Sequence, residues 1–197
     1  MDFIKILDEA IANIPADEPR RYIGASGIGN DCSRKIWNDY NCVQGKPITP
    51  RQRRTFETGK ILEDMVLNYI ELAGFKIIRP EPGSKGIPCQ DEEYPLFQGH
   101  MDGLLYLTET NVVVLELKTA KSSEYKKFVD IGLKAWSPTY YSQVMSYMGM
   151  NKLKRALIIV LNKDNAEWHC EWIEFDEITY CELRAKAMHI SQAETPP

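Results

Sequence analysis

The chain has 197 residues, of which 44% are hydrophobic and 26% charged, with 12 glycines and 11 prolines. That length suits one domain around one sizeable core, and the composition excludes a disordered, collagenous or coiled-coil chain. The net charge of −4 is uneven: residues 20–60 hold nine basic residues (Arg20, Arg21, Arg34, Lys35, Lys46, Arg51, Arg53, Arg54, Lys60) against three acidic ones (Asp31, Asp39, Glu57), so that segment is +6 and the remainder −10. A basic patch on an acidic body suits a phosphate-bearing partner, with a solvated charged face as the alternative. No apolar run reaches the length of a membrane span, so no membrane association is expected. The first residues, MDFIKILDEAIANIP, are broken by Asp8 and Glu9 and carry neither a basic leader nor a small-residue cleavage site. No signal peptide is expected. Five cysteines, at 32, 42, 89, 170 and 181, therefore read as reduced thiols, and the expected location is cytoplasmic.

Phe3, Ile4, Leu7, Ile11 and Ile14 recur at helical spacing, which predicts a helix over 2–14 ended by Pro15 and Pro19. Residues 22–31, YIGASGIGND, read as a Gly- and Ser-rich loop, and 33–40 as a short helix that Ser33 can cap. A Gly/Pro linker over 43–50 precedes a long helical pattern over 51–73, stopped by Gly74. Residues 75–79 suit a strand, and 80–95, with four prolines and two glycines, read as a loop. Two strands are predicted over 97–107 and 111–118, joined by a polar turn at Glu109, Thr110 and Asn111. The second, NVVVLELK, is a β-branched run of the buried kind. Helices follow over 122–134 and 139–150, then a buried strand over 155–162, an alternating edge strand over 167–175 and a last helix over 176–190. The order predicts a mixed α/β layer fold in one domain over 1–197, with a helical part over 1–74 and a sheet with flanking helices over 75–190.

GHMDG at 99–103 and LELKT at 115–119 carry the strongest chemical signal. Glu116 and Lys118 are two apart and share a face of their strand, with Leu115 and Leu117 on the other. Burying Asp102, Glu116 and Lys118 is costly unless they pair or bind a metal, and that cost points to function. Hard oxygen donors favour Mg²⁺ or Mn²⁺ over zinc. Taken singly, Asp102 beside Gly103 also fits a turn aspartate, and Glu116 with Lys118 also fits a solvated edge strand. His100 lies on the Asp102 side of its strand.

This D…ExK pattern, with an apolar strand before the glutamate, resembles the PD-(D/E)xK nucleases. Three further elements resemble the RecB-like and phage-exonuclease branch of that superfamily, lambda-type and YqaJ-like. Gly59-Lys60-Ile61-Leu62-Glu63 is similar to its GxxxH/E element. Gln143 to Tyr147 is similar to its QxxxY motif. Ile23 to Arg34, IGASGIGNDCSR, resembles its S…C-x-R loop. The four stand in the right order across residues 22–163.

The resemblance implies a restriction-endonuclease-like core, with a central mixed β-sheet flanked by helices and an N-terminal helical segment. It implies a metal-dependent deoxyribonuclease, an exonuclease resecting duplex ends 5′→3′ for recombination or repair. Asp102 and Glu116 would bind Mg²⁺, or Mn²⁺ in its place, with the carbonyl of Leu117 as a further ligand and Glu63 completing the site. Lys118 would orient or help deprotonate the attacking water, Gln143 would bond that water or the DNA, and Tyr147 would buttress Gln143. Ser26 and Arg34 would meet a 5′-phosphate, which an arginine binds bidentately, and Lys163 would lie near the cleft. Partners implied are DNA, as duplex ends or single strand, a single-strand-annealing protein and further copies of the chain, in a bacterial or phage-infected cell. Some relatives carry an iron–sulfur cluster; Cys32 stands in its first place, but Cys89, Cys170 and Cys181 do not complete its spacing, so none is expected. Rival readings are a structure-selective or single-strand endonuclease on the same site, and a weakly active DNA-binding or assembly protein on this fold.

Overall fold

The computed structural model describes residues 1–15 and 18–197. Helix α1 (Phe3–Ala12) starts where the Asp2 side chain accepts the Lys5 N–H at 3.2 Å. A two-residue strand β1 (Ile23–Gly24), a helical turn α2 (Ala25–Ile28) and helix α3 (Ser33–Tyr40) follow. Ser33 does not cap α3. It is already helical, and Cys32 occupies the cap position without a side-chain bond. Helix α4 (Pro50–Leu72) opens on a reciprocal cap between Thr49 and Gln52 with proline at its first position. It closes before Gly74, whose φ of +89° is a left-handed conformation that costs glycine little. α1 has no buried residue; it rests on α4, where Asp8 pairs with Arg54 and Arg53 donates to the Ile14 carbonyl at 3.1 Å.

Five strands form the main sheet: β2 (Lys76–Ile78), β5 (Gly103–Tyr106), β6 (Val112–Ala120), β7 (Arg155–Asn162) and β8 (Trp168–Glu174), in the order β2-β5-β6-β7-β8. Within this sheet, among the described residues, only β6 and β7 pair in parallel, with Glu116 opposite Ile158 and Lys118 opposite Val160. A parallel pair needs a crossover, and here it runs through α5 (Ser122–Trp136) and α6 (Pro138–Met150). α5 is kinked at Gly132, where φ is +74°. Helix α7 (Glu177–Gln192) ends the fold, capped by Asp176. Along β6 the side chains alternate. Val113, Leu115 and Leu117 pack with Val66 and Leu67 of α4. Val114 on the other face joins Ala156, Ile158 and Val160 in the larger core beneath α5, α6 and α7. The central strands are thus covered on both faces, which is why they read as continuous apolar runs.

Three further expectations change. The segment 80–95 is not all loop: β3 (Ile87–Gln90) lies in it, pairing with β4 (Phe97–Met101), and with β1 they form a second sheet ordered β1-β4-β3. The strand expected over 97–107 is broken at Asp102, because β4 belongs to the small sheet and β5 to the large one. Likewise the loop expected over 22–31 contains β1, paired with β4, and α2.

Candidate active site

Glu116 is 0% exposed, near the middle of β6. Lys118, two residues on and on the same face, donates from Nζ to Glu116 Oε1 at 2.5 Å and lies 5.0 Å over the Tyr140 ring. Glu116 Oε2 has no hydrogen-bond partner and is, among the described residues, the one buried side-chain polar atom so left. An orphaned buried carboxylate oxygen is expensive and calls for an explanation such as a cation. Asp102 occupies the junction between β4 and β5. The β5–β6 ladder ends at Gly103 opposite Leu115, so Leu117 has run past it. The Asp102 carboxylate takes up the free Leu117 N–H, accepting it at Oδ2 over 2.8 Å. In a strand the N–H and C=O of one residue face the same side, so the Leu117 carbonyl faces that gap too.

The electrostatics tie Glu63 of α4 to this group. Burial first, and then Asp102, push the Glu63 carboxyl up to about 7, against the pull of Lys118 and Lys60. Burial and then Asp102 push Glu116 up to about 8 although Lys118 pulls it down. Burial alone would lower the Lys118 ammonium, but Glu116 and then Asp102 outweigh it and hold it above its ordinary value. Lys118 therefore stays charged, while Glu63 and Glu116 are biased toward their protonated forms in the absence of a further cation.

No three His, Cys, Asp or Glu side chains among the described residues gather into a ready-made metal cage. A Mg²⁺-like ion takes one or two carboxylates and fills its octahedron with water and substrate oxygens. Asp102, the unpaired oxygen of Glu116 and the Leu117 carbonyl fit such an ion. Glu63 stands within electrostatic reach but outside a closed cluster. The five cysteines are free thiols, and burial pushes Cys89 up to about 12.

α6 begins at Ser137, which accepts the Tyr140 N–H at 3.3 Å, with proline next. It carries Gln143 and Tyr147, one turn apart and both buried. Gln143 Nε2 donates to Tyr147 Oη at 2.9 Å, and Tyr147 Oη donates to the His100 carbonyl at 2.6 Å. Glycine is required opposite: a Cβ on Gly99 would lie 2.4 Å from Tyr147 Cε1 and 3.0 Å from Ala25 Cβ.

A cavity of about 190 Å³ opens over Asp102, lined also by Arg20, Ser26, Lys85, His100 and Gln143. Burial, then Arg20, then Lys85 lower the His100 pKa, which favours its neutral imidazole. Ser26 lines this cavity, whereas Arg34 is exposed on α3 and lines neither this cavity nor the one next to it. The arginine present is Arg20, which lines both. Sequence reasoning missed it, although it stands three residues before the IGASGIG run. Tyr140, beneath the Lys118 ammonium, likewise carried no signal in the sequence pattern. Lys163 lies with Arg51, Arg54 and Thr119 in a separate groove.

No family model matches the chain, and no curated protein sequence matches it. Solved structures do. An alkaline exonuclease (LHK-Exo) from Laribacter hongkongensis superposes with a TM-score of 0.62 at 15% identity, covering 94% of this chain and 90% of that one. LHK-Exo in complex with dAMP gives 0.65 at 14% identity over 87% of each chain. A phage-related exonuclease from Haemophilus somnus 129PT gives 0.54 at 14% identity, over 87% of this chain and 94% of that one. At such identities the shared property is architecture: the chain has the α/β fold of these exonucleases.

Proposed function

We propose that the chain is a metal-dependent deoxyribonuclease that hydrolyses phosphodiester bonds from the ends of duplex DNA, in the 5′→3′ direction, for recombination or repair. The observation that carries this reading is Glu116: a fully buried carboxylate with one oxygen unpaired, beside Asp102 and an ammonium. The fold it stands on is that of exonucleases, one of them solved with dAMP, which supports a nucleotide substrate. Asp102, Glu116 and the Leu117 carbonyl hold Mg²⁺, with Mn²⁺ able to replace it, and Glu63 completes the site. When bound, the ion polarises a phosphoryl oxygen and lowers the pKa of water beside it.

The chain's own residues supply the rest. Lys118 remains protonated and puts fixed positive charge where negative charge grows in the transition state. Gln143 has one amide N–H committed to Tyr147, and its carbonyl oxygen accepts a hydrogen bond from the attacking water and so orients it. Tyr147, anchored on the His100 carbonyl, fixes Gln143. The cavity of Arg20, Lys85 and Ser26 receives the terminal 5′-phosphate, whose extra charge suits a charge-assisted arginine contact. A single-strand-annealing protein is the natural recipient of the strand such an enzyme exposes.

The test is digestion of a labelled linear duplex with Mg²⁺, beside closed circular DNA. Asp102→Ala and Glu116→Ala are expected to lower cleavage by at least about a hundredfold while DNA binding in Ca²⁺ survives. Full activity in either variant refutes the site. Equal digestion of closed circles refutes the end-directed mode.

A further inference from the structure

A groove on the first turns of α4 lies outside the site described above. It is lined by Arg51, Arg54, Thr55, Thr58, Gly59, Thr119 and Lys163, and no carboxylate among the described residues lines it. That is unusual on a chain whose net charge is −4. Positions 51, 54, 55 and 58 fall on one face of the helix. Arg51 and Lys163 make no side-chain hydrogen bond or ion pair among the described residues. Arg54 already holds an oxyanion, the Asp8 carboxylate of α1.

The groove's place gives it a partner. Thr58 and Gly59 precede Glu63 by about one turn of α4, roughly 6–8 Å along the axis at 1.5 Å per residue. Lys163 is pinned by its N–H to the Ala120 carbonyl at 2.9 Å, two residues beyond Lys118. The groove shares no lining residue with the Arg20 cavity, which contains Asp102. Asp102 thus lines one cationic site, and Glu63 stands about one turn along α4 from the other. From Arg51 to Thr58 the cations and hydroxyls extend over about 10 Å of helix. A nucleic-acid strand presents one phosphate about every 3.4 Å of duplex axis, and further apart along the strand itself, so a groove of this length, close to Glu63, seats a short run of about two phosphates.

We propose that this groove seats the sugar–phosphate backbone of the cleaved strand, about two phosphates from the bond being broken. Arg51 and Lys163 contact the phosphates, and Arg54 exchanges Asp8 for one of them. The assignment rests on the nuclease reading and extends it to residues that lie off the reacting centre. Because the contacts are to phosphate, they carry affinity and register but no base specificity.

The experiment is fluorescence anisotropy of a labelled, 5′-phosphorylated duplex in Ca²⁺, titrated at several salt concentrations. Arg51→Ala and Lys163→Ala are each expected to weaken binding by about tenfold and to make the slope of log Kd against log salt shallower by about one. The double variant should lose about two from the slope, and Arg51→Lys should keep the wild-type slope. A double variant with wild-type affinity and slope, while the wild type binds and cleaves, overturns the groove and leaves the nuclease reading standing. Equal losses in Arg51→Lys and Arg51→Ala overturn it as well, because charge would then not be the cause. A wild type that binds no DNA overturns both.

Discussion

Without a metal, Glu116 and Glu63 hold protons near neutrality, their carboxyls lifted to about 8 and about 7 from an ordinary 4.5. A divalent ion must displace those protons, so affinity for it should rise with pH. At about pH 6, Glu116 lies about two units below its midpoint and Glu63 about one, and each unit is a factor of ten in the equilibrium. With Glu116 as the sole titrating ligand, Mn²⁺ affinity should climb about a hundredfold from about pH 6 to its plateau, releasing one proton per ion. With Glu63 ligating as well, the climb should approach about a thousandfold, with a second proton released. Glu63→Gln then separates the cases, reducing the larger climb to the smaller. Isothermal titration of metal-free protein with Mn²⁺, in buffers of different ionisation enthalpy, reads affinity and protons together. Equal affinity across that range with no proton release would refute the assignment of these buried carboxylates as ligands. The same shifts set the stability of the metal-free protein. Between pH 4.5 and about 8 the folded chain keeps protons that the unfolded chain has released, so its stability should fall as pH rises through that window. Mg²⁺ should restore it, because an ion that binds only the folded state stabilises it.

Tyr147→Phe removes the phenol that joins Gln143 to the His100 carbonyl, leaving both groups short of a partner in a largely buried place. It should cost about 1–3 kcal/mol in thermal or chemical denaturation and lower kcat more than it alters KM; an unchanged Tm would contradict the anchoring role. Arg20→Ala should erase a preference for 5′-phosphorylated over 5′-hydroxyl ends, worth roughly ten- to a hundredfold for a charge-assisted contact. Arg34→Ala should leave that preference intact, and digestion rates of the two end types would expose the reverse outcome.

The parts legible in the sequence were those where one physical demand dominates. β6 and β7 must be apolar on both faces, so VVVLEL and ALIIVL announce buried strands, and the ionisable pair in the first of them stands out against that background. α4 carries its own start and stop in Thr49, Pro50 and Gly74. β3 did not announce itself, because it is a short edge strand of alternating exposure with a proline in it, and edges are where proline is tolerated. The break at Asp102 was only half visible: Gly103 beside it allowed a turn, but apolar residues run on both sides, and which sheet each segment joins is decided by partners far away in the chain. Arg20 and Arg34 bracket the same glycine-rich segment. Only the turn of α3, which carries Arg34 out to solvent, tells which of them faces the cavity.

That break has a consequence for how the molecule can fail. Asp102 reaches Leu117 from the seam where one sheet hands over to the other, so the carboxylate pair is a joint property of two bodies rather than of either alone. Slippage between them would part Asp102 from Glu116 while every ladder inside each sheet stayed closed. Damage of this kind leaves a folded, compact and inert protein, invisible to a melting curve. The Leu117 amide would betray it: held by a side chain instead of a neighbouring strand, it is the proton whose exchange with solvent keeps time with the seam.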